Sequence, residues 1–422
     1  MAGPITLTTR SFRHDQRGGV AIIFGLSAMA ITMFAGVALD YSRIVHERVR
    51  VASAVDAAAL AASKAMLDGR LTDDDVRTMA RAFFDQNLAG GSRFRSPEGF
   101  DVQLDRSTNA IAIEADVKVD MTLTRVAGYD SVVFPVRATA MLEQQDIELS
   151  LALDVTGSMA PVGKIDALKR AGKDLVRTLL PEGGTPNKVS IALAPYSSGV
   201  NAGAYGRVVT GRAGAVCTFE REGSDVASEA APSSGDYLKT NGSPGIARGA
   251  TCPGRAVKTL SSDRDALIDE FDYYTAGGST AGHLGALWAW YMLSPNWNAV
   301  LGNAAAPYND GKTKKALVLM TDGLFNTIGG SNGGDSSPSA TRSQQIAMDA
   351  CAEMRRQGIT VYTVGFKLDE ITNTTLRRRA ENTLRDCSGN DPSHHFDAAR
   401  EDDLISAFQT IAERLNNLRL TN

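Results

Sequence analysis

The stretch Ile147-Glu148-Leu149-Ser150-Leu151-Ala152-Leu153-Asp154-Val155-Thr156-Gly157-Ser158-Met159 joins an alternating apolar run to a polar turn that opens on an acid and carries two hydroxyls. The run reads as a buried strand, and α/β folds place their ligand sites just beyond such strand ends. The pattern returns in reduced form at Ala316-Leu317-Val318-Leu319-Met320, which delivers Thr321-Asp322-Gly323. Two strands thereby bring two acids toward one face.

Around these strands, apolar runs alternate with helical patterns from Asp146 onward, which predicts a doubly wound α/β fold: a mainly parallel sheet covered on both faces. Ile165, Leu168, Leu175, Val176 and Leu179 mark one face of a first helix, and Val189, Ile191 and Leu193 form the next strand. Helices are expected over Gly282 to Leu293 and Gln344 to Gln357, a strand over Ile359 to Phe366, and a closing helix through Leu404, Phe408, Ile411, Leu415 and Leu418. Gly199 to Thr259 and Thr327 to Ala340, both rich in Gly and Ser, read as loop insertions. The four cysteines contain no Cys-x-x-Cys pair, which argues against a structural zinc site. Local pairing is expected, Cys217 with Cys252 and Cys351 with Cys387, among three connectivities.

Upstream, Gly18 to Leu39 is an uncharged apolar stretch of about 22 residues, enough to cross a ~30 Å hydrocarbon core as a helix. Arg10, Arg13 and Arg17 precede it and favour an N-terminus, residues 1–17, left in the cytoplasm, with the bulk of the chain exported. A cleaved signal ending near Ala38 is the alternative, disfavoured because the stretch exceeds the usual core of such signals. After Asp40 neither Gly nor Pro occurs before Gly69, so the helix is expected to continue to Leu67 as anchor and stalk, about 75 Å long. Its face of Val51, Ala54, Val55, Ala58, Leu60 and Ala61 needs a cover, expected within the chain. Thr72-Asp73-Asp74-Asp75 reads as a capping box for a second helix that turns Val76, Met79 and Phe83 to one side and ends near Gly90-Gly91. Alternation at Val102 and Leu104, then at Ile111, Ile113, Ala115, Val117, Val119 and Met121 beyond a Ser107-Thr108-Asn109 turn, gives an antiparallel hairpin, with Val132 to Val136 as a third strand. Residues 40–142 thus form a small α+β unit on the anchor helix, and 143–422 the α/β domain.

A net charge of -4 without a basic run disfavours nucleic-acid binding. The 43% hydrophobic content supports sizeable cores. Five histidines, none in a metalloprotease-like motif, and a Ser158 without a base or a Gly-x-Ser-x-Gly elbow argue against an enzyme. His283 is expected to face solvent or pack, and His394-His395 to be surface or core residues rather than paired ligands. Oxygen donors suit a hard divalent cation. Asp154, Thr156 and Ser158 alternate along one turn, Asp322 adds a second carboxylate, and Gly277-Gly278-Ser279-Thr280 offers a further hydroxyl, Thr280 first and Ser279 in reserve.

This set resembles the metal-ion-dependent adhesion site of von Willebrand factor type A (VWA) domains, with Thr156 where the family's Asp-x-Ser-x-Ser has its middle Ser; the likeness spans about residues 146–418. It implies a bound divalent ion, Mg²⁺ first with Mn²⁺ or Ca²⁺ as alternatives, and a protein partner whose acidic side chain completes the ion's shell. The N-terminal Arg17-Gly18-Gly19-Val20-Ala21-Ile22-Ile23-Phe24, Gly36-Val37-Ala38-Leu39-Asp40-Tyr41-Ser42-Arg43 and Asp56-Ala57-Ala58-Ala59-Leu60-Ala61, taken with Asp154 to Met159 and the closing Leu418-Arg419-Leu420, is similar to TadG-like Flp pilus-assembly proteins. That likeness implies a single-pass bacterial inner-membrane protein that docks pilus or envelope components; an exported adhesin meeting surface ligands directly is the alternative. Unlike pilin-like relatives, the chain has no Glu shortly after a Gly cleavage point.

Overall fold

A computed structural model describes residues 18–66, 71–88, 99–106, 110–141, 145–161, 163–185, 187–232 and 236–417, divided into two compact units that meet in the chain between Glu143 and Gln144. Arg10, Arg13, Arg17, Leu67, Gly90-Gly91, the Ser107-Thr108-Asn109 turn and Leu418-Arg419-Leu420 lie outside the described residues.

Unit 1 is built on one uninterrupted helix, α1 (Gly18–Met66), whose N-terminal part is long and apolar enough to cross a membrane. Its distal part buries Val51, Ala54, Val55, Ala58, Ala59 and Ala62, small residues that let α2 (Asp73–Leu88) and a three-stranded antiparallel sheet approach closely. The expected cover is therefore intramolecular, but Leu60 faces solvent and Ala61 is half-buried; the stripe runs through Ala59 and Ala62 instead. The Thr72 capping box is reciprocal: Asp75 N–H donates to Thr72 Oγ1 (3.2 Å) and Thr72 N–H donates to Asp75 Oδ2 (2.9 Å). The buried row of α2 is Val76, Ala80, Phe84 and Leu88, a strict i+4 series, so Phe83 is exposed and Met79 half-buried, contrary to the i+3 reading. In the sheet, β1 (Gly99–Asp105) and β3 (Ser131–Met141) flank β2 (Ala110–Asp120). Ile111, Ile113, Ala115, Val117 and Val119 alternate inward as expected, and β3 runs well past Val136.

Unit 2 has the expected doubly wound form. Five parallel strands stand in the order β8 (His395–Ala398), β7 (Thr360–Phe366), β6 (Thr313–Thr321), β4 (Asp146–Asp154), β5 (Val189–Tyr196). One face carries Leu149, Leu151, Leu153, Val318 and Met320 against α3 (Lys164–Leu179), α4 (Arg264–Asp272) and α8 (Glu401–Asn417). The other carries Ala152, Ala194, Leu317 and Leu319 against α5 (Gly282–Leu293), α6 (Pro338–Arg356) and α7 (Thr374–Cys387). The alanines make room for an α5 that is buried on every side, with Trp288, Trp290 and Tyr291 in its core.

Several boundaries differ from the sequence reading. The Gly199–Thr259 stretch is more than a loop: Val200–Asn201, Cys217–Phe219 and Lys239–Thr240 extend the sheet edge antiparallel, and Val209, Phe219 and Leu238 join the core. Helix α6 starts at Pro338, inside the second supposed insertion, because Ser337 caps it by accepting from Ala340 N–H (3.1 Å) and Pro338 takes the first helical position. Both expected disulfides are present, Cys217–Cys252 and Cys351–Cys387, with Cα atoms 5.6 and 5.0 Å apart. The second ties α6 to α7.

Candidate functional site

Strand β4 leads by α3 to β5 on one side, whereas β6 lies on its other side, so the strand order reverses at β4. The carboxyl ends of β4 and β6 therefore flank the fold's switch point, where α/β sheets open a crevice. Leu153 is opposite Met320 and Asp154 opposite Tyr196, which levels the three strand ends. Side chains alternate along a strand, so Asp154 shares the face of Ala152, as Tyr196 and Thr321 do on theirs.

The register makes one hydrogen-bonded cluster. Asp154 is fully buried; its Oδ1 accepts from Thr156 N–H (2.9 Å), and its Oδ2 accepts from Thr321 Oγ1 (2.7 Å) and Tyr196 Oη (3.3 Å). Tyr196 also donates to Met320 C=O (2.9 Å), and burial followed by the Asp154 carboxylate raises it well above the ordinary phenol range, so it remains a donor. Thr156 Oγ1 and Ser158 Oγ are 2.8 Å apart, and Ser158 donates to Asp322 Oδ1 (2.5 Å). Burial first, then the Asp322 carboxylate, pushes Asp154 above the usual carboxylate range. Asp154 is held by hydroxyl and N–H donors, with no cation among its partners in the described residues, so its buried carboxylate marks a place a cation would stabilise.

Asp154, Thr156, Ser158 and Asp322 are thus brought together. Thr280 comes beside them through its loop: Gly157 N–H donates to Gly278 C=O and Gly277 N–H to Val155 C=O, both at 2.9 Å. Gly278 holds φ +86°, and a Cβ on Gly157 would stand 3.2 Å from the Gly278 carbonyl, so glycine at both positions permits this approach. Thr280 is fixed by its backbone, donating its N–H to Asn326 Oδ1 (3.2 Å) and accepting from Asn326 N–H (3.0 Å). Among the described residues no hydrogen bond ties its hydroxyl to the other four. Ser279 N–H is held by Ser198 Oγ (2.8 Å).

Among the described residues no group of three or more His, Cys, Asp or Glu side chains is placed to hold a metal ion. The candidate centre has two carboxylates and completes its donor set with hydroxyls, an all-oxygen set that fits Mg²⁺, Mn²⁺ or Ca²⁺ better than a soft metal. His283 takes no part. It is fully buried rather than solvent-facing, with Nε2 2.7 Å from Glu220 Oε1 and Nδ1 2.7 Å from Ser343 Oγ. His395 lies 2.9 Å from Thr363 Oγ1, while His394 sits edge-on to Tyr362, so the two histidines do not converge.

Sequence reasoning missed Lys164. Its Nζ lies 3.0 Å from Asp322 Oδ2 and 2.7 Å from Glu370 Oε2, and its side chain is only 7% exposed. Burial pulls its pKa down, but the contacts with Glu370 and Asp322 outweigh that and hold the ammonium above its ordinary value. A cation in the first turn of a helix opposes the helix dipole, and that was the available signal. An ion bound at Asp322 would have to compete with the Lys164 ammonium. Lys164→Met should therefore tighten Mg²⁺ binding about tenfold, roughly 1.4 kcal/mol, as read by calorimetry. Unchanged or weaker binding would show that the lysine does not oppose the ion.

The first helix has a recognisable relative. Residues 18–66 match the family model of putative Flp pilus-assembly TadE/G-like proteins. This TadE/G-like segment coincides with α1 from end to end. No curated protein matches the chain. Solved structures similar to it include the pilus adhesin SpaC of Lactobacillus rhamnosus GG, 14% identical over 75% of this chain and 34% of SpaC, with a TM-score of 0.41. The chain therefore spans about a third of SpaC's length. The vWF domain of the type V pili tip protein Mfa5 of Porphyromonas gingivalis is 15% identical over 67% of this chain and 98% of that domain, with a TM-score of 0.39. Proximal thread matrix protein 1 of the mussel byssus, solved with a zinc-occupied MIDAS motif, is 14% identical over 65% of this chain and 48% of its own, at 0.33. Scores this low leave the site to be argued from its own residues.

Proposed function

We propose that the TadE/G-like chain is a membrane-anchored docking scaffold of Flp-type pilus assembly. In this reading α1 crosses the bacterial inner membrane once, and unit 2, exported, binds a divalent ion through Asp154, Thr156, Ser158, Thr280 and Asp322. The observation that carries the reading is the buried pair Asp154 and Asp322, connected through Thr156 and the Ser158 hydroxyl at the switch point of a doubly wound sheet. The ion would supply a positive centre with room for a carboxylate from a pilus or envelope protein.

The chain's own residues set the terms. Thr321, Tyr196 and the Thr156 N–H fix the Asp154 carboxylate in one orientation, so it enters a complex already ordered. Ser158 donates to Asp322 and Lys164 pairs with it, so the two acids are not a bare like-charge pair. Binding rather than catalysis is the proposed role. The test is capture of pilus and envelope proteins on the full chain in detergent, with Mg²⁺, with chelator, and with Asp154→Ala. Recovery should need both the ion and Asp154, and equal recovery in all three would sink the reading. Labelling of intact cells separates the adhesin alternative, since an inner-membrane scaffold stays unlabelled behind an outer membrane.

A further inference from the structure

Two residues in the first 23 of α1 are buried, Gly36 and Asp40, and both lie under the same segment of unit 1. The Asp40 carboxylate accepts from three consecutive backbone N–H groups, those of Thr122 (3.2 Å), Leu123 (2.9 Å) and Thr124 (2.8 Å), and from Thr124 Oγ1 (2.8 Å). Arg43 adds contacts to Asp40 (3.7 Å) and to the Thr122 hydroxyl. One turn earlier, a Cβ placed on Gly36 would meet Leu123 Cβ at 2.9 Å, so the missing side chain at Gly36 lets Leu123 lie flush on the helix.

This segment, Met121 to Asp130 with a short 3₁₀ turn at Thr124–Ala127, carries apolar side chains that unit 1 does not bury. Val126 is 93% exposed, Tyr129 68% and Leu123 45%, and Val133 beside them on β3 is also exposed. Its charges are internally balanced, Arg125 donating to Asp130 at 3.0 Å. The apolar side chains therefore need a cover, and the helix they lean on shows which one. Val20, Ile22, Ile23, Phe24, Leu26, Ile31, Phe34 and Val37 on α1 are likewise exposed, and Gly36 is about 4.5 Å inside the end of the uncharged stretch at 1.5 Å per residue. Whatever solvates that stretch also meets Leu123.

We infer that the Met121–Asp130 loop is a second membrane contact, clamped by Asp40 against the end of the spanning helix so that Leu123, Val126 and Tyr129 enter the lipid of the same bilayer. The inference rests on the reading of α1 as membrane-spanning. Interfacial segments bury apolar faces about 5–10 Å into the headgroup and acyl boundary, and Gly36 sets Leu123 near the shallow edge of that range, a zone that Tyr favours. The consequence is orientation: a helix held at one point can swivel and tilt, whereas a helix with a wedge at its base has one preferred rotation and depth. Asp40 is the positioning residue. It spends a buried carboxylate on three N–H groups that would otherwise be exposed to a medium with little water.

The test uses the full chain in phosphatidylcholine and phosphatidylglycerol vesicles. All four native cysteines are in disulfides, so an environment-sensitive dye can be placed at Val126→Cys, Ile23→Cys or Asp101→Cys and quenched by lipids spin-labelled near the headgroup or along the acyl chain. Val126→Cys should be quenched by the shallow label and shielded from water-soluble thiol reagents, Ile23→Cys quenched by the deeper label, and Asp101→Cys quenched by neither. Adding Asp40→Ala should reduce the Val126→Cys quenching toward that of Asp101→Cys and leave Ile23→Cys unchanged; Asp40→Asn, which keeps an acceptor, should lose less. Quenching at Ile23 with none at Val126 would overturn the wedge while keeping the anchor. Absence of quenching at Ile23 would overturn both. Shielding of Val126 from thiol reagents without quenching by lipid would overturn the lipid contact in favour of a protein one.

Discussion

Asp154→Asn is expected to leave the ion-free protein at least as stable as the parent and to remove the stabilisation that Mg²⁺ gives the parent. Asp154 is fully buried, and burial together with Asp322 raises its pKa, so in the ion-free fold its negative charge is a cost. Asn keeps an acceptor oxygen for the Thr156 N–H or the Thr321 hydroxyl without that charge. The ion reverses the balance. At a free concentration of about 100 times Kd it stabilises a protein that holds it only when folded by about 2.7 kcal/mol, some 5–10 °C in Tm for a domain of this size. Thermal unfolding in Mg²⁺ and in chelator checks this: the parent should shift and Asp154→Asn should not. Equal shifts in both would place the ion elsewhere.

Glu220→Ala should destabilise unit 2 by about 3 kcal/mol. Glu220 fastens three segments. Its Oε1 meets His283 on α5, its Oε2 accepts from Gly329 N–H at 3.0 Å, and His283 passes the connection to Ser343 on α6. Truncation leaves the buried His283 Nε2 and the Gly329 N–H without their partner. The same group predicts a pH dependence. Burial pushes Glu220 up, but the hydrogen bond and charge interaction with His283, with backbone N–H groups including that of Gly329, outweigh it and leave Glu220 below its ordinary 4.5. The unfolded chain then binds more protons than the folded one in that window, so stability rises with pH there. The contribution is present above about 4.5 and is lost as pH falls through the folded value. Denaturant titrations from pH 6 to pH 3 should show an acid loss that is smaller in Glu220→Ala than in the parent; parallel curves would contradict it.

Much of this architecture was legible where one periodicity had a single cause. Ile147 to Leu153 gave the central strand, Gly282 to Leu293 the buried helix, and Ile111 to Val119 the inward face of the hairpin. The alternation at Glu148 and Ser150 was misleading in one respect: both are buried, because the second face of the sheet is covered too, and Glu148 is neutralised there by Lys315. Helix α7 was missed because Arg377-Arg378-Arg379 masks a short apolar row of Ala380 and Leu384. The Gly/Ser-rich stretch hid its strands since they are two or three residues long and rely on sheet neighbours rather than on their own pattern. At the site, the acids and hydroxyls were readable from strand-end chemistry. Lys164, Tyr196 and Thr321 were not, because their roles follow from strand register and from where a helix begins, both non-local. The clamp of Asp40 on residues 122–124 is a contact across more than eighty positions, invisible in either segment alone.

The central claim is that Asp154 and Asp322 hold a divalent ion, and titration calorimetry of Mg²⁺ and Mn²⁺ into the full chain in detergent tests it most directly. One ion per chain should bind the parent, with binding lost in Asp154→Asn and in Asp322→Asn while both variants keep their cooperative unfolding. Binding that survives in either variant, or no binding to the parent, would contradict the account.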